Sequence, residues 1–210
     1  MGKFITAGVG ISNVANAKEA ATQAAEKALA QSGKDSLSIV FVYSAYKYDP
    51  TKVMQGISDI VDEEVPILGC TTAGEISQYG ATDDSIVVAS INSPFVRFGV
   101  GIGEHVSQDP RQAAKAALKT AAHNLCEDRS IASLAVMQRA PTELMKFSQY
   151  IILMHSTVGQ EEEIIQGLKN EVGLFTPIIG GTAADGLTME GSYQFANGIV
   201  KKDSLALAIM

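Results

Sequence analysis

The sequence predicts an α/β fold: two tandem β-α-β-α-β-β repeats with pseudo-two-fold symmetry, packed as one globular unit. Three observations carry this. Pro66-Ile-Leu-Gly-Cys-Thr-Thr-Ala-Gly-Glu-Ile76 returns without a gap as Pro177-Ile-Ile-Gly-Gly-Thr-Ala-Ala-Asp-Gly-Leu187, and Gln55-Gly56 returns at the same offset as Gln166-Gly167. Gly8-Val-Gly-Ile11 is echoed by Gly99-Val-Gly-Ile102, and Asp84–Ile91 by Asp203–Met210. Each cycle also carries an Ala-rich helical stretch after its first strand and an apolar run before its Gly/Thr segment. The repeats divide near Asn92–Phe95, into 1–93 and 94–210. Neither is expected to stand alone, because each leaves an apolar sheet face or edge to cover.

In the first repeat, Phe4–Ser12 is apolar and Gly-punctuated, a buried strand. Its Lys3 and Ala15-Asn-Ala17 imitate a signal peptide, but the internal echo at Gly99 identifies a strand instead. Met1-Gly2 before Thr6 fits a myristoylation pattern too short to carry weight. Ala17–Gln31 is a strong helix former whose Ala21, Ala24, Ala25 and Ala28 form a small-residue face, stopped at Gly33. Ser38–Ser44 is a continuous apolar run, a strand buried on both faces. Asp49-Pro50 opens a helix reaching about Val61, with Val53, Gly56, Ile57 and Ile60 inward and an acidic end at Asp62–Glu64. Strand 66–70, the Gly/Thr turn and strand Ser85–Ile91 complete the unit.

The second repeat opens with strand Phe95–Ile102 and an Asp109-Pro110-capped helix reaching about Cys126. Asp128–Ser148 has no counterpart; Ile131–Gln138 reads as helix or strand and Pro141–Phe147 as helix. Tyr150–Ser156 matches Ser38–Ser44, placing His155 at the position of Tyr43 and Ser156 at that of Ser44. Glu161–Glu171 is a helix and Pro177–Gly181 a strand. Asn197-Gly198, inside Tyr193–Val200, marks a hairpin with a type I′ turn. The chain closes on a strand, which predicts a piece of a longer protein.

Composition removes several function classes. With 46% hydrophobic and 19% charged residues the chain has the apolar content of a folded domain. A net charge of −7 without a Lys/Arg cluster speaks against nucleic acid and anionic membranes as partners. Two cysteines, Cys70 and Cys126, make neither a disulfide scaffold nor a metal site and fit a reducing cytoplasm. No apolar run has the length of a membrane span. Gly99-Val-Gly-Ile-Gly103 is not a dinucleotide fingerprint, since no helix follows it directly, and P-loop, zinc and HExxH signals are absent. No cofactor is predicted.

The candidate site is a ligand-binding one, with no catalytic residue assigned. Gly69, Thr71, Thr72, Gly180, Gly181 and Thr182 could grip a carboxylate through hydroxyls and main-chain N–H groups, or simply form tight turns. Glu75 and Asp185 follow the two segments and could meet a ligand ammonium; capping carboxylates are the alternative. Tyr43, Ser44, His155 and Ser156 stand at strand C-terminal ends, where α/β sites open, although a lone His on an apolar strand is usually a core residue. Cys70 sits where N–H groups could activate a thiolate, but His105, His123 and His155 show no family spacing and its repeat partner is Gly181.

The Gly8-Val-Gly10 strand, Val40-Phe-Val-Tyr-Ser44 with Tyr48-Asp49, Pro66–Glu75, Pro177–Gly181, Phe195-Ala-Asn-Gly198 and the final strand, in this order, resemble the FIST (F-box and intracellular signal transduction) family, in particular its N-terminal domain. The resemblance covers nearly the whole chain. It implies an intracellular, cytoplasmic sensory module that binds a small ligand such as an amino acid, and partners in the form of a C-terminal FIST domain or signalling modules missing from this chain. Beside that sensor stand two alternatives: a hydrolase-like enzyme using Cys70 or Thr71, and a protein-interaction scaffold without a ligand.

Overall fold

The computed structural model describes residues 5–34, 37–126, 150–188 and 190–210. The expectations for Asp128–Ser148 and for Met1-Gly2 lie outside them. Four α-helices and twelve strands are formed among the described residues. The first half runs β1 (Thr6–Ser12), α1 (Ala17–Ser32), β2 (Leu37–Ala45), α2 (Pro50–Ser58), β3 (Ile67–Thr72), β4 (Glu75–Ser77), β5 (Gly80–Thr82) and β6 (Ile86–Asn92). The second runs β7 (Gly99–Glu104), α3 (Pro110–Cys126), β8 (Ile152–Ser156), α4 (Glu161–Val172), β9 (Ile178–Thr182), β10 (Tyr193–Ala196), β11 (Ile199–Lys202) and β12 (Ser204–Ile209).

The strands form a six-stranded sheet, β1-β6-β2-β3-β10-β11, a four-stranded sheet, β7-β12-β8-β9, and the separate hairpin β4-β5. In both large sheets the first two pairings are antiparallel and the third, β2–β3 or β8–β9, is parallel. The registers correspond too: Tyr43 lies opposite Cys70 and Val87, and His155 opposite Gly181 and Ala206.

Alternation along each strand divides the core into three layers. Val40, Val42, Ile67, Ile86, Val88 and Phe195 pack under α1 and α2. Ile152, Met154, Leu205, Leu207 and Ile209 pack under α3 and α4. Ile39, Leu68, Val100, Ala196, Ala206 and Ala208 join the two sheets face to face, and Phe41 meets Phe98 there edge-on at 6.4 Å. The molecule is therefore a helix–sheet–sheet–helix stack.

Sequence explains the close spacing of these layers. A Cβ at Gly8 or Gly10 would stand about 2 Å from the carbonyl oxygens of Ala28 and Ala24 on α1, and Gly99 and Gly101 face Ala121 and Ala117 on α3 in the same way. Glycine strands under alanine helices bring backbone onto backbone. Both Asp-Pro caps form: Asp49 Oδ1 accepts from the N–H groups of Thr51 and Lys52, and Asp109 Oδ1 from that of Gln112. Helix α2 stops at Ser58, short of Val61, and turns through Asp59–Val61. The Asn197-Gly198 turn has φ of 46° and 81°, the left-handed pair a type I′ hairpin needs.

Two sequence expectations are corrected. The β-α-β-α-β-β unit is too short, because each half inserts a hairpin after its third strand: β4–β5 in the first, β10–β11 in the second. The Gly/Thr segments are not turns. Gly69–Thr72 and Gly180–Thr182 lie inside β3 and β9, and the chain turns only after them. Their N–H and C=O groups are directed to neighbouring strands or strand edges, so they form no anion-binding concavity.

Candidate functional site

Gly69 and Gly180 are first of all packing residues. A Cβ on either would come within about 2 Å of the carbonyl oxygen of Val42 or Met154 on the adjacent parallel strand. Gly181, by contrast, faces open space, while Cys70 at the matching position is 3% exposed. The difference is the cover: Gln194 of β10 pairs opposite Cys70, and no described strand pairs with the outer edge of β9.

Thr71 is fully buried and ties the halves together. Its Oγ1 donates to Ala184 O at 2.8 Å and accepts from Tyr193 N–H at 2.9 Å, while its carbonyl accepts from Ala184 N–H at 2.9 Å. Thr182 is exposed, and its hydroxyl donates to Glu161 Oε1 at 2.8 Å. That carboxylate also accepts from Gly159 N–H, and these hydrogen bonds hold Glu161 below the usual carboxylate range. Thr72 Oγ1 donates to Glu75. The Glu75 carboxylate is buried and also accepts from the N–H and hydroxyl of Ser85 at 3.1 and 2.7 Å. Asp185 accepts from Leu187 N–H at 3.1 Å and Gly191 N–H at 3.2 Å, shaping its own loop. Glu75 and Asp185 thus act as capping carboxylates toward the protein.

Tyr43 and His155 meet across the two sheets. Tyr43 Oη lies 3.2 Å from His155 Nε2, and the rings stand edge to face with centroids 5.4 Å apart. Burial pushes the His155 imidazole down to about 4 and the Tyr43 phenol up to about 12. Burial likewise pushes the Cys70 thiol up to about 12. Every group here is neutral at pH 7, so neither an activated thiolate nor a cationic ligand clamp is formed. Ser44 donates to Ala45 O, and Ser156 Oγ is buried without a partner.

A cleft of about 330 Å³ opens beside these residues. Thr72 at the end of β3 and Ala73 just after it form one wall; Asp185, Gly186 and Thr188, following β9, form the other. Ala45, Tyr46, Lys47, Asp83 and Asp84 complete it. Three carboxylates against one ammonium make it acidic. Lys47 Nζ reaches Asp84 at 3.1 Å across exposed surface, a weak restraint. Tyr46 donates to Glu190 at 3.3 Å at the rim. A larger cavity of about 600 Å³ shares Asp83 and Asp84, but all its residues come from the first half. Lys47, Asp83, Asp84 and Thr188 are polar lining residues that sequence reasoning leaves out of the site, whereas Tyr46 is among those it places near a strand C-terminal end. The Asp83-Asp84 pair before a strand was the available signal.

Among the described residues no group of three or more His, Cys, Asp and Glu side chains is arranged to hold a metal ion, and no helix is long and apolar enough to cross a membrane. No curated protein matches the chain. A crystal structure of cyanuric acid hydrolase from A. caulinodans aligns at 10% identity and a TM-score of 0.41, over 97% of this chain and 70% of that one. The family model of the FIST N domain matches residues 36–210, from β2 through β12, and the chain therefore belongs to the FIST family.

Proposed function

We propose that this chain is the small-molecule-binding sensory domain of a cytoplasmic signalling protein, with its ligand in the cleft between Thr72–Ala73 and Asp185–Gly186. FIST domains are sensory domains of signal transduction, which supplies the class. One observation carries the location: segments from both halves line a single acidic cleft. Asp83, Asp84 and Asp185 suit a ligand ammonium and Lys47 a carboxylate, the two ends of a free amino acid. Beneath the cleft the Thr71–Ala184 hydrogen bonds join the halves. A ligand gripping both walls favours one packing of half against half, and a C-terminal FIST domain or attached signalling module reads the shift.

The halves themselves are duplicated units about a pseudo-two-fold axis in this reading. Equal strand order and register support it, as does the contact between Tyr43 and His155, which hold matching positions.

The test is a thermal-shift screen against amino acids, amines and carboxylic acids. A ligand at a hundredfold its Kd adds about 2.7 kcal/mol of apparent stability. Amino acids are expected to shift the transition, and Asp84→Asn or Lys47→Ala to weaken the shift. Affinity unchanged in both variants would move the site elsewhere. The hydrolase alternative finds no support in a buried, protonated Cys70 and a Thr71 hydroxyl engaged on both sides. A protein-contact role is favoured by a separate observation, the apolar exposure around β9.

A further inference from the structure

Hairpin β10–β11 belongs to the second half in sequence and to the first sheet in space. It covers two surfaces there. Its first strand closes the edge of β3, with Gln194, Phe195 and Ala196 opposite Cys70, Gly69 and Leu68. Its turn is anchored where Ile67 N–H donates to Asn197 Oδ1 and Asn197 N–H donates to Ile67 O, both at 3.0 Å. Its inner face also covers β7: Ala196 shares the inter-sheet cluster with Val100, which is 1% exposed.

Among the described residues, no strand covers the matching surfaces of the other half. Ile152 N–H donates to Pro177 O and Ala183 N–H to Ser156 O, so by alternation the N–H and C=O groups of Ile178, Gly180 and Thr182 turn away from β8. No described strand pairs with them. Ile179 is 49% exposed, where Leu68 at the matching position is fully buried. Strand β1 carries the same Gly-Val-Gly-Ile as β7 in the same register on its neighbour, yet Val9 and Ile11 are only half-buried and Ala7 is exposed.

We propose that the free edge of β9 docks an antiparallel β-hairpin from a partner polypeptide, seated as β10–β11 is seated on β3, with its inner face over Val9. This rests on the duplication of the halves and is independent of the ligand. The fold defines the partner's chemistry. At the position of Phe195, which is fully buried in the first helix–sheet core, the hairpin carries an aromatic or large aliphatic residue, directed at Ile165 and Ile178. Its turn is apolar. The Asn197-Gly198 turn sits beside Asp62 and Glu63, whereas the second half has Gly173 and Leu174 there, followed by Phe175 at 99% exposure. A second copy fits poorly, because antiparallel β9–β9 pairing sets Leu174 and Phe175 of one copy against the acidic start of α4, next to Thr182, in the other. Strand addition of this kind draws affinity from main-chain hydrogen bonds and specificity from alternate side chains.

The test uses the full chain extended from Met210 by a flexible Gly/Ser tether and a hairpin copying residues 191–203 with an apolar turn. The tether makes docking intramolecular, so weak affinity does not hide it. Amide exchange at Ile178, Gly180 and Thr182 is expected to slow by about tenfold or more relative to the unextended chain. Ile179→Lys, at an exposed position, is expected to abolish that protection without lowering the melting temperature, and Val9→Lys, at a half-buried one, to abolish it as well. Unchanged exchange in the extended chain overturns the proposal. So does protection that survives Ile179→Lys or Val9→Lys, or protection of the unextended chain that grows with concentration, which makes a second copy the occupant. Neither substitution lies in the ligand cleft, so an amino-acid thermal shift that persists in both variants keeps the ligand reading separate from this one.

Discussion

His155 is a titratable side chain held neutral by burial, and this has a consequence for stability. Its folded pKa of about 4 lies below the ordinary 6.5. Between those values the unfolded chain binds a proton that the folded chain excludes, so stability falls as pH drops through that window and is recovered as pH rises. The loss is complete below about pH 4 and amounts to at most about 3 kcal/mol. Urea unfolding at pH 7 and pH 4.5 should show a smaller loss for His155→Phe than for the parent; equal losses would place the acid sensitivity in other groups. Cys70, with its pKa raised by burial, is expected to react with iodoacetamide only as fast as the fold opens. Its labelling rate should rise with urea in step with unfolding, and rapid labelling in buffer would revive a nucleophilic role. Sequence reasoning could weigh a lone His on an apolar strand as a core residue. It could not see that Tyr43 faces it, because that contact spans the two sheets.

At the scale of the element, the Gly/Thr segments show what is and is not legible in a sequence. Gly is a turn-forming residue and a Thr hydroxyl can support a turn more weakly, so Pro66–Ile76 and Pro177–Leu187 read as strands that soon turn, although Thr itself favours strand. They are strands through Thr72 and Thr182, with glycine selected by the approach of a parallel neighbour. Gly69→Ala drives a Cβ into Val42 O and should cost roughly 2–4 kcal/mol. Gly181→Ala, in open space, should stay within about 0.5 kcal/mol. Chemical denaturation of the two variants separates packing glycines from permissive ones, and equal effects would refute the steric account. Helix caps, the Asn197-Gly198 turn and most of the individual strands are readable because their signals are local. The β10–β3 pairing was not, since its partners are more than a hundred residues apart and nothing in either strand names the other.

For the whole molecule, the halves are expected to be one cooperative unit, because each buries part of the other. Phe195 of the second half is fully buried in the core under α1 and α2, and Thr71 spends its hydroxyl on Ala184 and Tyr193. Thr71→Val keeps the shape but leaves a half-buried N–H and a half-buried carbonyl without their partner, which should cost about 1–2 kcal/mol. Thr182→Val, at an exposed hydroxyl, should cost less than about 1 kcal/mol. A fragment of residues 1–93 retains β1-β6-β2-β3 but loses β10–β11, leaving the edge of β3 open and the place of Phe195 empty. Such a sheet has no closed core, so the fragment should show no cooperative urea transition by circular dichroism, whereas the full chain should give coincident transitions by circular dichroism and tyrosine fluorescence. A sharp transition for the fragment would mean that the first half folds on its own and that β10–β11 is an addition to a finished sheet. The packing argues otherwise. The hairpin fills the first half's core, so the first half is incomplete without the last strands of the second, and whatever changes the fit between halves acts on the stability of both.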